Sequence, residues 1–90
     1  MKKMIITVVG KDTVGIIAKV CTYLSENEIN ILDISQTILD GWFNMMMIVD
    51  ASSTKKSAGE VGEDLKALGE GIGVQINCQS SEIFEQMHRI

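Results

Sequence analysis

The dipeptide Asp40-Gly41 constrains the fold of this chain more than any other local feature. It separates two runs of alternating apolar and polar residues, which is the strongest short-range signal for a β-hairpin because a type I′ turn needs positive φ at both central residues. The first run covers residues 29–39 and the second covers residues 42–49. Two antiparallel strands are therefore predicted in the middle of the chain. In the first of them the residues that should form one apolar face are Leu32, Ile34 and Ile38.

The segments on either side of this hairpin alternate between strand and helix patterns. Residues 3–9 are β-branched and predict a buried strand, and residues 74–79 alternate as a last strand. A helix is expected after the first strand, with Asp12 or Thr13 as its cap and an apolar stripe of Ile17, Val20, Cys21 and Leu24. A second helix is expected to start at a capping box of Ser57 and Glu60. Its stripe is Val61, Leu65, Leu68 and Ile72, and it is expected to be broken by Gly69, Gly71 and Gly73.

The resulting order is β-α-β-β-α-β, followed by a short helix that Ser80 or Ser81 caps. Right-handed crossovers turn this order into a ferredoxin-like α+β sandwich, in which a four-stranded antiparallel sheet carries two helices on one face. The first and third strands should be central. Ninety residues are enough for one domain, predicted over residues 1–90 with a core of 1–79 and a C-terminal helix of 80–90.

Charge and composition argue against several classes of function. The chain has 8 Lys and Arg residues against 12 Asp and Glu residues, a net charge of −4, and 4% aromatic residues. An acidic surface with few aromatic side chains does not suit nucleic acid or an anionic membrane, so neither partner is expected. No run of apolar residues has the length of a membrane span, and a cytoplasmic location is expected.

Catalytic and metal-binding motifs are sparse. The one histidine, His88, has no nucleophile in an obvious motif beside it, and Cys21 and Cys78 lack the spacing of a zinc site. We therefore expect no enzyme activity, no cofactor and no metal. Lys11, in the first strand–helix loop, keeps acyl-phosphate hydrolysis as a distant alternative, because it could hold a phosphate group.

The loop after the first strand is the best candidate for a binding site. Gly15 is expected near the helix start, where free backbone N–H groups attract a carboxylate. The alternative is that Gly15 only lets the helix pack tightly against the sheet. Asn30, at the start of the second strand, is expected beside this loop.

Two segments carry a resemblance to a known family. The run from Gly10 to Ile17, together with the later Glu28-Ile29-Asn30-Ile31, resembles the ACT domain, and the likeness extends over the whole chain. The tail from Ile83 to Ile90 looks like that of the small free-standing ACT proteins of bacteria and archaea.

The resemblance implies a regulatory module that binds an amino acid between the two subunits of a homodimer. The implied ligand-binding residues are Asp12, Thr13, Val14, Gly15, Ile16 and Asn30. Val14 departs from the proline that is frequent in the family, and Gly10 stands where some serine-binding members carry a histidine. Two functions stay open, an amino-acid sensor that signals to a partner protein and an assembly module with a vestigial ligand site.

The strand from Trp42 to Val49 also contains three consecutive methionines. Side chains alternate along a strand, and we expect Met46 and Ile48 on the face that the helices cover. The opposite, open face is then predicted to hold Ile5, Phe43, Met45 and Met47. The C-terminal helix has an apolar stripe of its own, Ile83, Phe84, Met87 and Ile90, and it could fold back over its own sheet or cross to a second copy. We expect this face and the helix to contribute to a homodimer.

Overall fold

The structure is a computed structural model that describes residues 2–11 and 15–80. The order β-α-β-β-α-β is confirmed. The elements are β1 (Lys3–Lys11), α1 (Ile16–Glu26), β2 (Asn30–Leu39), β3 (Trp42–Asp50), α2 (Ala58–Ile72) and β4 (Val74–Ser80). The C-terminal helix was predicted over residues 80–90. Ser80 is instead the last residue of β4, and residues 81–90 lie outside the described residues.

The four strands form one antiparallel sheet in the order β2-β3-β1-β4. The predicted ferredoxin-like architecture is therefore confirmed, with β1 and β3 central. The hairpin is also confirmed, because Asp40 and Gly41 have φ values of 51° and 77°. Both turn residues thus take the left-handed conformation that a tight two-residue connection requires.

Helix α2 begins as predicted and ends at Gly73, its left-handed C-cap, but it does not break at Gly69 or Gly71. The Ser57 side chain accepts a hydrogen bond from the N–H of Glu60, and the Glu60 carboxylate accepts one from the N–H of Ser57. The helix then continues through Gly69 and Gly71 to Ile72, so the predicted early break was wrong. Gly69 is buried because α2 passes very close to β4: a Cβ built there would lie 2.7 Å from the carbonyl oxygen of Val74.

The prediction for the methionine run was also wrong. Met46 is 42% exposed, while Met45 and Met47 are 1% and 0% exposed and lie in the core. The core face of β3 carries Phe43, Met45, Met47 and Val49, whereas the opposite register would have buried Asn44. Side chains alternate strictly along a strand, so one face of β3 includes the polar Asn44 and the other does not. The face without Asn44 is the one that is buried.

The sheet therefore has an open face with a different composition from the one predicted. We define the open face as the surface opposite both helices. Of the residues expected there, Ile5 lies on it, but Phe43, Met45 and Met47 do not. The middle of the open face is formed by Ile5, Thr7 and Val9 of β1, Asn44, Met46 and Ile48 of β3, Asp33, Ser35 and Thr37 of β2, and Gln75, Asn77 and Gln79 of β4. Lys3 with Asp50 and Lys11 with Trp42 lie at its two ends.

Strand β2 forms one edge of the sheet and is exposed along almost its whole length. A register shift between Ile31 and Asp33 takes Leu32 out of the regular alternation. Ile34 and Ile38 pair with the core residues Met47 and Phe43, so they lie on the helix-covered side of the sheet. Nevertheless, Ile38 is 58% exposed. The edge strand thus presents apolar side chains that the described helices do not cover.

Candidate functional site

The start of α1 differs from the sequence prediction in a way that matters for binding. The helix begins at Ile16 with Gly15 as its N-cap, rather than being capped by Asp12 or Thr13, and no side chain of the described residues caps it. The first turn also lacks an acidic residue. Backbone N–H groups at such a helix start carry the positive end of the helix dipole, so this position is suited to a carboxylate.

The backbone conformation at position 15 requires glycine. Its φ is 89°, which L residues with a side chain rarely adopt, and a Cβ built there would have no atom within 4 Å. The alternative that Gly15 permits tight helix packing is therefore wrong. Among residues 2–11 and 15–80, no atom fills the space beside Gly15.

The other residues of the predicted loop contribute differently. Asp12, Thr13 and Val14 lie outside the described residues, so their side chains stay a prediction. Ile16 is buried in the core, together with Val20 and Leu24. Only the backbone of Ile16 is then available to a ligand, since its side chain packs against the sheet.

Asn30 does not lie beside Gly15 in the same chain. Strands β1 and β2 are both antiparallel to β3, so they run in the same direction. Asn30 pairs with Asp50, which also pairs with Lys3 at the start of β1, whereas Lys11 at the end of β1 pairs with Trp42. Eight residues of strand at roughly 3.3 Å each separate the two ends, about 26 Å. The structure therefore separates the two predicted halves of the site.

Gly10 is required by packing. A Cβ at this position would lie 2.7 Å from Cγ1 and 3.0 Å from Cα of Val74, the residue opposite it on β4. The neighbouring strand leaves no room for a side chain. The departure from the histidine of some serine-binding ACT members thus has a steric cause, and position 10 has no side chain to offer a ligand.

The sequence analysis missed a polar cluster that connects the two helices. The Tyr23 hydroxyl donates a hydrogen bond to Oδ2 of Asp64 at 2.7 Å, and the Lys56 ammonium donates to the same oxygen. Lys56 Nζ also lies 5.7 Å from the centroid of the Tyr23 ring. Burial and the Asp64 carboxylate raise the pKa of Tyr23, and the two donors lower the pKa of Asp64. Asp64 of α2 thus accepts a hydrogen bond from Tyr23 of α1, and this bond connects the two helices.

Within residues 2–11 and 15–80, no group of three or more His, Cys, Asp or Glu side chains is arranged to hold a metal ion. Over the same residues, neither helix has the length and apolar composition needed to cross a membrane.

The sheet order and the two helices on one face define a small α+β domain of ferredoxin-like fold. The chain belongs to the ACT domain family, whose model matches residues 2–79. Members of this family commonly bind amino acids as regulators, and the small ACT proteins are generally non-catalytic.

The relatives come from both bacteria and archaea. The chain is 63% identical over 90 residues to the UPF0237 protein BL1209.1 of Bifidobacterium longum, covering 100% of both chains. It is 44% identical to the UPF0237 protein MJ1558 of Methanocaldococcus jannaschii, again over 100% of both. Among solved structures, an ACT domain protein from Streptococcus pneumoniae superimposes with a TM-score of 0.82 at 46% identity, over 93% of this chain and 94% of that one.

Proposed function

We propose that this chain is a non-catalytic regulatory module that binds a small amino acid at the interface of a homodimer and signals to a partner protein. The observation that carries the proposal is the accessible start of α1 at Gly15, which has no side-chain cap among the described residues. A ligand carboxylate would accept hydrogen bonds from the first N–H groups of α1. Asn30 of a second copy would complete the site, since its amide both donates and accepts.

The exposed edge strand supports a dimer formed through β2. An edge strand of ten residues with exposed Ile34 and Ile38 is seldom left unpaired in a soluble protein. If two copies pair through β2 about a two-fold axis, their β2 strands run antiparallel. The partner copy's Asn30 end then lies at the end of the sheet where the first chain has Gly15. The separation of about 26 Å within one chain therefore favours a site shared between two chains.

A thermal-shift screen of the twenty amino acids at millimolar concentration, read beside the mass in solution, tests the proposal. A ligand that binds only the native state raises the melting temperature by mass action, by RT ln(1 + [L]/Kd). We expect one or a few small amino acids to raise it for a dimeric protein. A flat screen from a stable dimer would favour the assembly module with a vestigial site, and a monomer at micromolar concentration would contradict a shared site.

The role of Gly15 is tested by Gly15→Val with Gly73→Val as its control. Gly73 also has a positive φ, of 81°, and open space around its Cβ position, and it lies at the C-cap of α2. Both substitutions should strain the backbone by about 1–3 kcal/mol. Only Gly15→Val should abolish the ligand-induced shift. If Gly15→Val still binds the ligand, the start of α1 is not part of the binding site.

The sharing of the site between chains is tested by mixing two inactive variants. Homodimers of Gly15→Val or of Asn30→Ala should not bind, because each breaks both sites. A mixed dimer has one site with an intact Gly15 from one chain and an intact Asn30 from the other. A purified mixed dimer should therefore bind at half of the wild-type number of sites, and random exchange of equal amounts, which makes half of the dimers mixed, should restore about a quarter. No recovery in a confirmed mixed dimer would mean that the two residues do not serve one shared site.

A further inference from the structure

The open face has the composition of a covered surface. An apolar stripe of Ile5, Val9, Met46 and Ile48 runs along the two central strands. Serine, threonine, asparagine and glutamine side chains of β2 and β4 border it, and both described helices lie on the other side of the sheet. Thr7 and Asn44 lie within this stripe, and the charged Asp33 pairs with Ile48 at its β2 edge. Apolar side chains grouped on one face of a sheet are nevertheless typical of surfaces that another element covers.

Burial along this stripe increases toward one end. Val9 and Met46 are each 42% exposed, Ile48 is half-buried, and Ile5 is only 8% exposed. Ile5 pairs with Gln79, and the neighbouring Met4 pairs with Ser80, the last residue of β4. The most buried part of the open face is thus the part where the chain leaves the sheet.

The chain continues for ten residues after Ser80, and their pattern and length fit this surface. Ile83, Phe84, Met87 and Ile90 recur at the spacing of one helix face. A helix of ten residues is about 15 Å long. Three spacings of about 4.8 Å separate the outer strands of a four-stranded sheet, about 14 Å in total. A helix that starts at the edge strand β4 can therefore cross the whole sheet.

We propose that residues 81–90 form a helix that docks across the open face of the same chain, over Ile5, Met46 and Ile48. A segment joined directly to β4 has an effective concentration near its own sheet in the millimolar range, far above that of a free second copy. In the dimer through β2, moreover, β4 is the edge farthest from the two-fold axis. The segment would meet its own sheet first. The proposal does not depend on whether the chain binds an amino acid.

The methionine run offers a test with an internal control. Met46 lies on the open face, and its neighbours Met45 and Met47 lie in the core. With ¹³C-methyl-labelled methionine and a soluble paramagnetic agent, we expect the Met46 methyl to be shielded in the full chain. In a shortened chain that ends at Ser80, the paramagnetic agent should increase the relaxation rate of the Met46 methyl to that of a solvent-exposed methionine. The Met45 and Met47 methyls should stay shielded in both, which also reports that the shortened chain is folded. Equal accessibility of Met46 in both folded chains would overturn the proposal.

A disulfide in the full-length chain gives a second test that does not require the truncation to fold. Cys21 and Cys78 are replaced by alanine, and Met46→Cys is combined with Met87→Cys. Oxidation should form a disulfide within one chain, which runs as a monomer on a non-reducing denaturing gel. The control combines Met87→Cys with Lys66→Cys, and Lys66 is an exposed position on α2. The yield of disulfide within one chain should be at least tenfold lower for this control pair. A disulfide-linked dimer would assign the surface to the segment of a second copy, and equal yields in both pairs would mean that the segment does not dock.

Discussion

Replacement of Gly69 by alanine probes the closest contact between a helix and the sheet. In an ordinary helix this change stabilises, since glycine is less favourable than alanine by about 1 kcal/mol. In this helix, however, the new Cβ would lie 2.7 Å from the carbonyl oxygen of Val74 and 2.9 Å from Cγ1 of Ile76. The nearer atom belongs to the backbone of β4, so relief of the contact requires α2 to move away from the strand.

The size of the effect follows from a matched position two residues later. Gly71 lies in the same helix, and a Cβ there would have no atom within 4 Å. Gly71→Ala should therefore stabilise the protein by up to about 1 kcal/mol. Gly69→Ala has a similar gain but adds overpacking, which typically costs about 1–3 kcal/mol. The helix-propensity gain largely cancels in the comparison. The two variants should thus differ by about 1–3 kcal/mol in the free energy of unfolding, with Gly69→Ala the less stable.

Urea denaturation of both variants, followed by circular dichroism, measures this difference directly. For a domain of this size, 1 kcal/mol corresponds to about 4–8 °C in melting temperature. A thermal scan should therefore separate the two variants by at least about 4 °C. Equal stability of Gly69→Ala and Gly71→Ala would show that α2 can retreat from β4 without cost, and the close contact would then have no structural importance.

Three further predictions follow from burial and from pKa shifts. In urea denaturation Met47→Ala should destabilise the protein by about 2–5 kcal/mol, and by more than Met46→Ala. The reverse order would contradict the assignment of the two faces. Hydrogen bonds from Lys56 and Tyr23 lower the pKa of Asp64 below 3.8, so its contribution to stability is present above that pH and is lost as the pH falls below it. Asp64→Asn should weaken the acid dependence of unfolding, and unchanged slopes below pH 4 would refute this. Burial raises the pKa of the Cys78 thiol to about 11, so its reaction with a disulfide reagent at pH 8 should be slow and should accelerate on addition of urea; fast labelling of the native protein would contradict it.

Local chemistry made the turns and caps of this fold predictable. Asp40-Gly41 and the Ser57–Glu60 capping box each act through neighbours within four residues, so the sequence contains the whole interaction. The position of Gly69 could not be predicted in the same way. Position 69 needs glycine because Val74 and Ile76 of β4 lie too close for a side chain. The distance between α2 and β4 cannot be read from the sequence.

The position of Gly15 at the start of α1 was predictable for a similar reason, because it depends on its neighbours in the sequence. Gly15 was recognised because glycine at a helix start has local consequences, but the sequence did not show that Gly15 itself would be the N-cap. Asn30 was placed at the wrong end of the sheet within the chain. Strand β1, which leads to Gly15, and strand β2, which starts at Asn30, run in the same direction. The end of β1 and the start of β2 therefore lie at opposite ends of the sheet. Strand direction, which is a global property, decides this question.

The order of the strands has a consequence for how the chain folds. The β2–β3 hairpin joins neighbours through a two-residue turn, whereas β4 must find β1 from the far side of the sequence, with Met4 opposite Ser80. Closing so long a loop costs conformational entropy before any contact compensates it, so such pairings tend to form late. Until β4 arrives, the central strand β1 keeps an unpaired edge beside a forming core. The stage most vulnerable to association between chains is therefore the last step of folding, after the hairpin and both helices have formed.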